Sequence, residues 1–267
     1  MKIAVCYSGQ IGAFHKAIGQ QKQSFLKNDM DIFAYTSKIV SQKNNTVVNL
    51  PTDSRVHDYL IAGKGWRKNT NTYGIVYRIK DDFINNSLNP ITNQIQKIVV
   101  EDESLEDTLN DWDMTKWEWL RKRQLWKMYQ CNEMVKESEN NYDLVVRSRF
   151  EFGPNVKIEI EKIISEHGNL DNKIFLFGGW DCVPPMVFMD KFICDGFAFG
   201  TPEVMNKFCS LYLQEQAYPY DSKYKNCWDK FGDNVEYQIE QHLKNNNIQI
   251  EYIGTKRSMY HLVKLQV

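Results

Sequence analysis

The sequence predicts an α/β fold in one domain, with helices flanking a mostly parallel sheet. Three observations carry this. Apolar runs of strand length alternate with segments of helical periodicity, beginning with KIAVCYSG, then residues 13–27, then MDIFAYTS. A strand–helix–strand order implies a parallel pair joined by a right-handed crossover. The 267 residues, 42% hydrophobic and 13% aromatic, suffice for a large core, and no repeat, low-complexity tract or linker divides them.

The elements follow in order. KIAVCYSG is a buried strand ending in a Ser-Gly turn, so Ser8-Gly9-Gln10 opens onto the sheet edge where open α/β proteins bind ligands. Phe14, Ala17, Ile18 and Phe25 mark one side of the first helix, and MDIFAYTS is a second buried strand. Residues 37–100 are rich in Asn, Lys, Thr and Gly and read as loops and small strands (VVNL, YGIVYRI), including a mobile flap. TKWEWLRKRQLWKMYQCNEMVK is the longest helical segment, and its apolar residues on several sides imply burial on several sides. It feeds the strand YDLVVRSRFEFG. NKIFLFGGW and KFICDGFAFG are strands with glycine turns. TPEVMNKFCSLYL is a helix with Thr201 as N-cap and Pro202 in its first turn. GDNVEYQIEQHLKN is a helix capped by Asp233 or Asn234, and IQIEYIG and YHLVKL are closing strands.

Bulk properties remove several functions. A net charge of −1 lacks the basic excess of a nucleic-acid binder or a polybasic membrane-surface protein. No apolar run approaches the roughly 20 residues of a membrane helix, and MKIAVCYSGQ lacks the apolar core of a signal peptide. The expectation is a cytoplasmic protein with no membrane segment. Its scattered cysteines (Cys6, Cys131, Cys182, Cys194, Cys209, Cys227) read as free buried thiols.

The chemistry concentrates in YDLVVRSRFEFG. Arg147, Arg149 and Glu151 alternate to one side of a strand end, with Ser148 and Phe150 on the other. One reading is a surface ion pair worth little. The other is an anion site: guanidinium grips phosphate oxygens in a bidentate fork, and a carboxylate holds a Mg²⁺ or Mn²⁺ that bridges them. Other segments carry less. Gly63-Lys64-Gly65 lacks P-loop spacing and reads as a turn. Asp31 reads as a strand start, and Asp111-Trp112-Asp113 as a charged helix N-terminus. The histidines, His242 included, are isolated, and the tryptophans read mostly as core.

Taken in order, AVCYSGQ, MDIFAYTS, LWKMYQCNEMV, YDLVVRSRFEF, CDGFAFG and NVEYQIEQHL resemble the GT-A nucleotide-sugar glycosyltransferases. The nearer likeness is to small transferases of bacterial polysaccharide clusters and of large DNA viruses of the chlorovirus kind. The resemblance spans most of the chain except about residues 37–110. It implies a GT-A (Rossmann-like) mixed sheet, with a nucleotide-sugar-binding half over residues 1–150 and an acceptor-binding half over residues 151–267. It implies sugar transfer from a nucleotide-diphosphate sugar, UDP-linked, to a saccharide or glycan acceptor with inversion, in the host cytoplasm if the chain is viral. Donor contacts then fall to Tyr7, Ser8, Gly9, Gln10, Thr36, Arg123, Arg147 and Arg149, and a Mn²⁺ or Mg²⁺ to Glu151. Glu236 is the first candidate for the catalytic base, followed by Asp233 and Asp195. Two departures stand out: the family's strand-end aspartate is Glu151 here, and the arginine that often follows S-G-Q is replaced by Ile11-Gly12. The alternatives are a nucleotidyltransferase on a similar sheet, or a glycan-binding relative without catalysis.

Overall fold

The computed structural model describes residues 1–44, 56–64, 73–102, 116–178, 193–214, 235–255 and 260–262. In chain order its elements are β1 (Ile3–Ser8), α1 (Phe14–Ser24), β2 (Asp31–Ser37), β3 (Ile39–Asn44), β4 (Val56–Lys64), β5 (Tyr73–Ile79), α2 (Asp81–Leu88) and β6 (Ile95–Glu101). There follow α3 (Lys116–Lys136), β7 (Leu144–Arg149), β8 (Phe152–Pro154), α4 (Ile160–His167), β9 (Lys173–Gly178) and β10 (Ile193–Gly200). The last are α5 (Pro202–Cys209), α6 (Leu211–Gln214), α7 (Val235–Asn245), β11 (Gln249–Thr255) and β12 (Tyr260–Leu262).

Seven strands form the main sheet in the order β11-β9-β10-β7-β1-β2-β6. The β1–β2, β1–β7, β2–β6 and β9–β11 pairs are parallel, and β10 runs antiparallel to both β7 and β9. The expected mixed, mostly parallel sheet with flanking helices is present. All six residues of β1 are buried, the pattern of a strand covered on both faces. Its alternation divides the core. Ile3, Val5 and Tyr7 join Phe14 and Ile18 of α1 and Ile84 and Leu88 of α2. Ala4 and Cys6 join Leu125 and Met128 of α3, Met205 and Phe208 of α5, and Ile239 and Leu243 of α7. Cys6, Cys131 and Cys209 are free buried thiols, as their spacing implied.

Local chemistry sets several boundaries. The Thr201 hydroxyl accepts the Val204 N–H at 3.4 Å, and Pro202 occupies the first turn of α5, as the sequence implied. Gly200, which ends DGFAFG, is needed for close approach: a Cβ there would lie 3.1 Å from the Lys173 carbonyl and 3.1 Å from Val204 Cγ1. Asp31 opens β2 and accepts the Tyr142 hydroxyl at 2.9 Å, in keeping with a strand start.

Within residues 37–100 the expected small strand YGIVYRI is present as β5, while VVNL lies outside the described residues. β3, β5 and β4 form a separate three-stranded antiparallel sheet, followed by α2 and by β6 at the edge of the main sheet. Gly63 and Lys64 finish β4. Asp111, Trp112 and Asp113 lie outside the described residues.

Candidate active site at the carboxyl ends of β1 and β7

The strand order places a crevice before any side chain is considered. From β1 the chain crosses through α1 to β2 on one side, with α1 packed on the Tyr7 face of the sheet. From β6 it returns through α3 to β7 on the other side of β1, with α3 packed on the Cys6 face. The two crossovers leave on opposite faces, so the carboxyl ends of β1 and β7 flank a topological switch point, where open α/β sheets bind ligands.

The β1 end is a tight turn. Gly9 has φ +119°, a conformation that side chains rarely adopt. Its N–H donates to the Tyr35 carbonyl at 3.3 Å, and its carbonyl accepts the Thr36 hydroxyl at 2.8 Å. Thr36 is wholly buried and so holds the turn from β2. Gln10 is half-buried beside it. Ile11, which follows Ser8-Gly9-Gln10, fills the core, and the positive charge at this edge comes from β7.

That charge comes from the β7 end, where Ser8 pairs in register with Arg149, and Cys6 with Arg147. The alternation read from the sequence holds: Phe150 packs in the Tyr7-side core, while Arg149 and Glu151 meet on the other side. Arg149 Nε donates to Glu151 Oε1 at 2.6 Å, and Arg149 Nη2 pairs with the same oxygen. Arg149 Nη1 donates to Asp195 Oδ2 at 3.1 Å, and that oxygen also accepts from Gln124 Nε2. The cluster is not a surface ion pair, because the side chains of Arg149, Glu151 and Asp195 are only 22%, 12% and 11% exposed. Glu151 Oε2, close to Gly9, is buried with no hydrogen-bond partner among the described residues, as is Ser8 Oγ. Arg147 is 1% exposed, and none of its three guanidinium nitrogens has a partner there either. Burial pushes its pKa down, the negative charge of Asp195 opposes this, and Arg149 adds to it. An arginine so placed still keeps its proton.

The other expected site residues separate. Tyr7 is a core residue: its ring stacks 5.4 Å from Phe150 and its hydroxyl donates to Gln21 Oε1 at 2.6 Å. Only its backbone reaches toward the strand end. Arg123 is engaged by Glu101, at the end of β6, at 3.4 Å. Glu101 also accepts from Trp126 Nε1 at 2.9 Å and the Tyr35 hydroxyl at 3.1 Å, and lies 3.5 Å from Lys127 Nζ. Asp195 stands at the crevice. Asp233 lies outside the described residues, and so does the side chain of Glu236, the second residue of α7.

Two residues escaped the sequence reading. Gln124, one position from Arg123 on α3, faces Asp195 instead of Glu101. Gln21 is wholly buried and donates to the carbonyls of Phe152 at 2.7 Å and Phe150 at 3.3 Å, clamping the turn that carries Glu151. A helical-phase signal was present for Gln21, which lies on the stripe of Phe14, Ile18 and Phe25.

The cluster sets two guanidinium groups against two carboxylates beside the Gly9 turn, so it is neutral as a whole and suits a phosphate that arrives with its own cation. Glu151 Oε2 is the atom that fits a divalent cation arriving together with phosphate oxygens. Among the described residues no three His, Cys, Asp or Glu side chains group to hold an ion by themselves. Compared with protein-family models and with curated proteins, the chain matches none.

Proposed function

We propose that this chain is a GT-A glycosyltransferase that moves a sugar from a nucleotide-diphosphate sugar, UDP-linked, to a saccharide or glycan acceptor. The observation that carries this reading is the Arg147–Arg149–Glu151–Asp195 cluster at the carboxyl ends of β1 and β7. A sugar leaving its diphosphate deposits negative charge on the phosphate oxygens. Arginines already fixed where that charge develops stabilise the transition state without reorganising. Arg149 presents a fork for bidentate contact, and Gly9 lets a ligand approach the β1 backbone closely. The base and ribose then rest over the ends of β1 and β2, near Ser8, Gly9, Gln10 and Thr36. A Mn²⁺ or Mg²⁺, held by Glu151, would supply further charge neutralisation on the diphosphate.

Inverting transfer also requires a carboxylate to take the acceptor hydroxyl's proton. Glu236 is the first candidate and Asp233 the second. Asp195 already accepts from Arg149 and Gln124, which suits a group that positions Arg149 and the acceptor. A nucleotidyltransferase would need a glycine-rich basic loop after β1. Here Gly9 leads instead into the short 3-10 turn Ile11–Ala13, which has no basic residue.

The test is a panel of nucleotide-sugars, read by thermal shift and by slow donor hydrolysis. One or two donors are expected to raise the melting temperature and to be hydrolysed. A flat response across the panel would contradict the proposal.

A further inference from the structure

Arg147 and Arg149 are two residues apart on one strand, yet their states are opposite. Arg149 has two carboxylate partners and is 22% exposed. Arg147 is among the largest fully buried side chains described, with three nitrogens that have no partner among the described residues. The wholly buried Ser148 that separates them belongs to the opposite sheet face. On Arg147's own face the diagonal neighbour across the β1–β7 pair is Ser8, whose hydroxyl is likewise buried and unpartnered.

A buried guanidinium carries five N–H donors that it cannot shed by deprotonation. Leaving such a group unmatched costs several kcal/mol. A fold that retains it without a hydrogen-bond partner among the described residues, when an apolar side chain of similar size would be more stable, suits a partner that the chain does not itself supply. That partner must be anionic, offer several acceptor oxygens and tolerate desolvation. Tetrahedral phosphate oxygens meet all three conditions. Asp195 and Glu151 influence the charge of Arg147 but form no hydrogen bond with it, so they bias the group without satisfying it.

We propose that Arg147, with the Ser8 hydroxyl, is the seat of a desolvated phosphate group, and that Arg149 is an outer contact whose charge is already balanced. This deepens the nucleotide-diphosphate reading and depends on it only for what carries the phosphate. The two arginines are therefore unequal. In the ligand-free protein the buried guanidinium has nearby countercharge but no hydrogen-bond partner among the described residues, and phosphate binding supplies the missing acceptors. A cation travelling with the phosphate would meet Glu151 Oε2, a buried acceptor in this cluster that an anion cannot satisfy.

The experiment compares melting temperatures of the wild type, Arg147→Met and Arg149→Met in buffer free of phosphate, sulfate and chloride, then with inorganic pyrophosphate or UDP added. In the anion-free buffer Arg147→Met is expected to melt roughly 3 °C or more above wild type. Arg149→Met is expected to melt below it, because it strips two carboxylates of their partner. Pyrophosphate should raise the wild-type melting temperature and leave Arg147→Met unmoved. Calorimetric titration of pyrophosphate into wild type keeps the test open if a variant fails to fold. An Arg147→Met protein less stable than wild type, or a wild type that pyrophosphate neither binds nor stabilises, would overturn the seat. The arms also separate the two readings. Stabilisation by pyrophosphate with none from UDP or nucleotide-sugars supports the seat and contradicts the transferase. Stabilisation by UDP that survives in Arg147→Met overturns the seat and leaves the transferase standing.

Discussion

Arg149 answers to two carboxylates at once, and Glu151 Oε1 accepts from two nitrogens of Arg149, so each substitution in this group disturbs a partner. Glu151→Gln removes the hard oxygen available to a metal. Because Glu151 is 12% exposed and paired, a stability loss of about 1–3 kcal/mol is expected. Turnover should fall much further, by roughly 10²-fold, and its dependence on Mn²⁺ or Mg²⁺ should weaken, as read in EDTA-treated enzyme. Arg149→Lys keeps the charge but loses the fork. Donor affinity should drop roughly tenfold, the scale of one charge-assisted hydrogen bond. Full activity in both variants would return the cluster to a purely structural role. Gln21→Leu tests positioning from the opposite sheet face. It frees the carbonyls of Phe150 and Phe152, and donor KM should rise while Gln21→Glu, which keeps the acceptor for Tyr7 but lacks the donors, fails to rescue it. Unchanged KM with lowered melting temperature would show that Gln21 only stabilises. The alternation of Arg147, Arg149 and Glu151 was legible because strand periodicity is local. The Gln124–Asp195 contact was not, since 71 residues separate the pair and no local period links them.

At the scale of elements, legibility followed hydrophobic contrast. β1, β2 and β9 are mostly apolar runs, β7 opens with the apolar Leu144-Val145-Val146, and all four were read close to their observed bounds. β6 was missed because its inner residues Gln96, Lys97 and Ile98 are exposed at the sheet edge, which leaves a polar sequence. In the three-stranded sheet YGIVYRI was legible as β5, but its two partners were missed for a similar reason: VHDYLIAGK and IVSQKN mix polar and apolar residues without strict alternation. Helix α7 offers a test of its own packing. His242 is wholly buried, and its Nε2 donates to the Lys207 carbonyl at 2.6 Å, tying α7 to α5. Burial lowers its pKa below the ordinary 6.5, with the Lys207 hydrogen bond opposing. The unfolded chain therefore binds a proton that the folded chain refuses. Stability should be full above about pH 6.5 and decline as the pH falls through the lowered folded value. Chemical denaturation of wild type and His242→Gln between pH 7.5 and about 5 should show a steeper loss in the wild type. Parallel curves would mean that His242 is protonated in place.

At the scale of the whole molecule, β10 is the feature the sequence concealed. DGFAFG was legible as a strand, but not its direction or its insertion between β7 and β9, because strand order is fixed by long-range packing. That insertion is what brings Asp195 to Arg149. The same order puts two crossovers on opposite faces of β1 and creates the crevice in which Ser8, Gly9 and the β7 arginines meet. None of the described helices is long and apolar enough to cross a membrane. The most direct measurement is the crystal structure of the protein soaked with UDP and Mn²⁺. The diphosphate is expected against Arg147 and Arg149, with the ribose over Gly9 and the metal at Glu151. A nucleotide bound away from Ser8–Gln10, with both arginines untouched, would contradict the account.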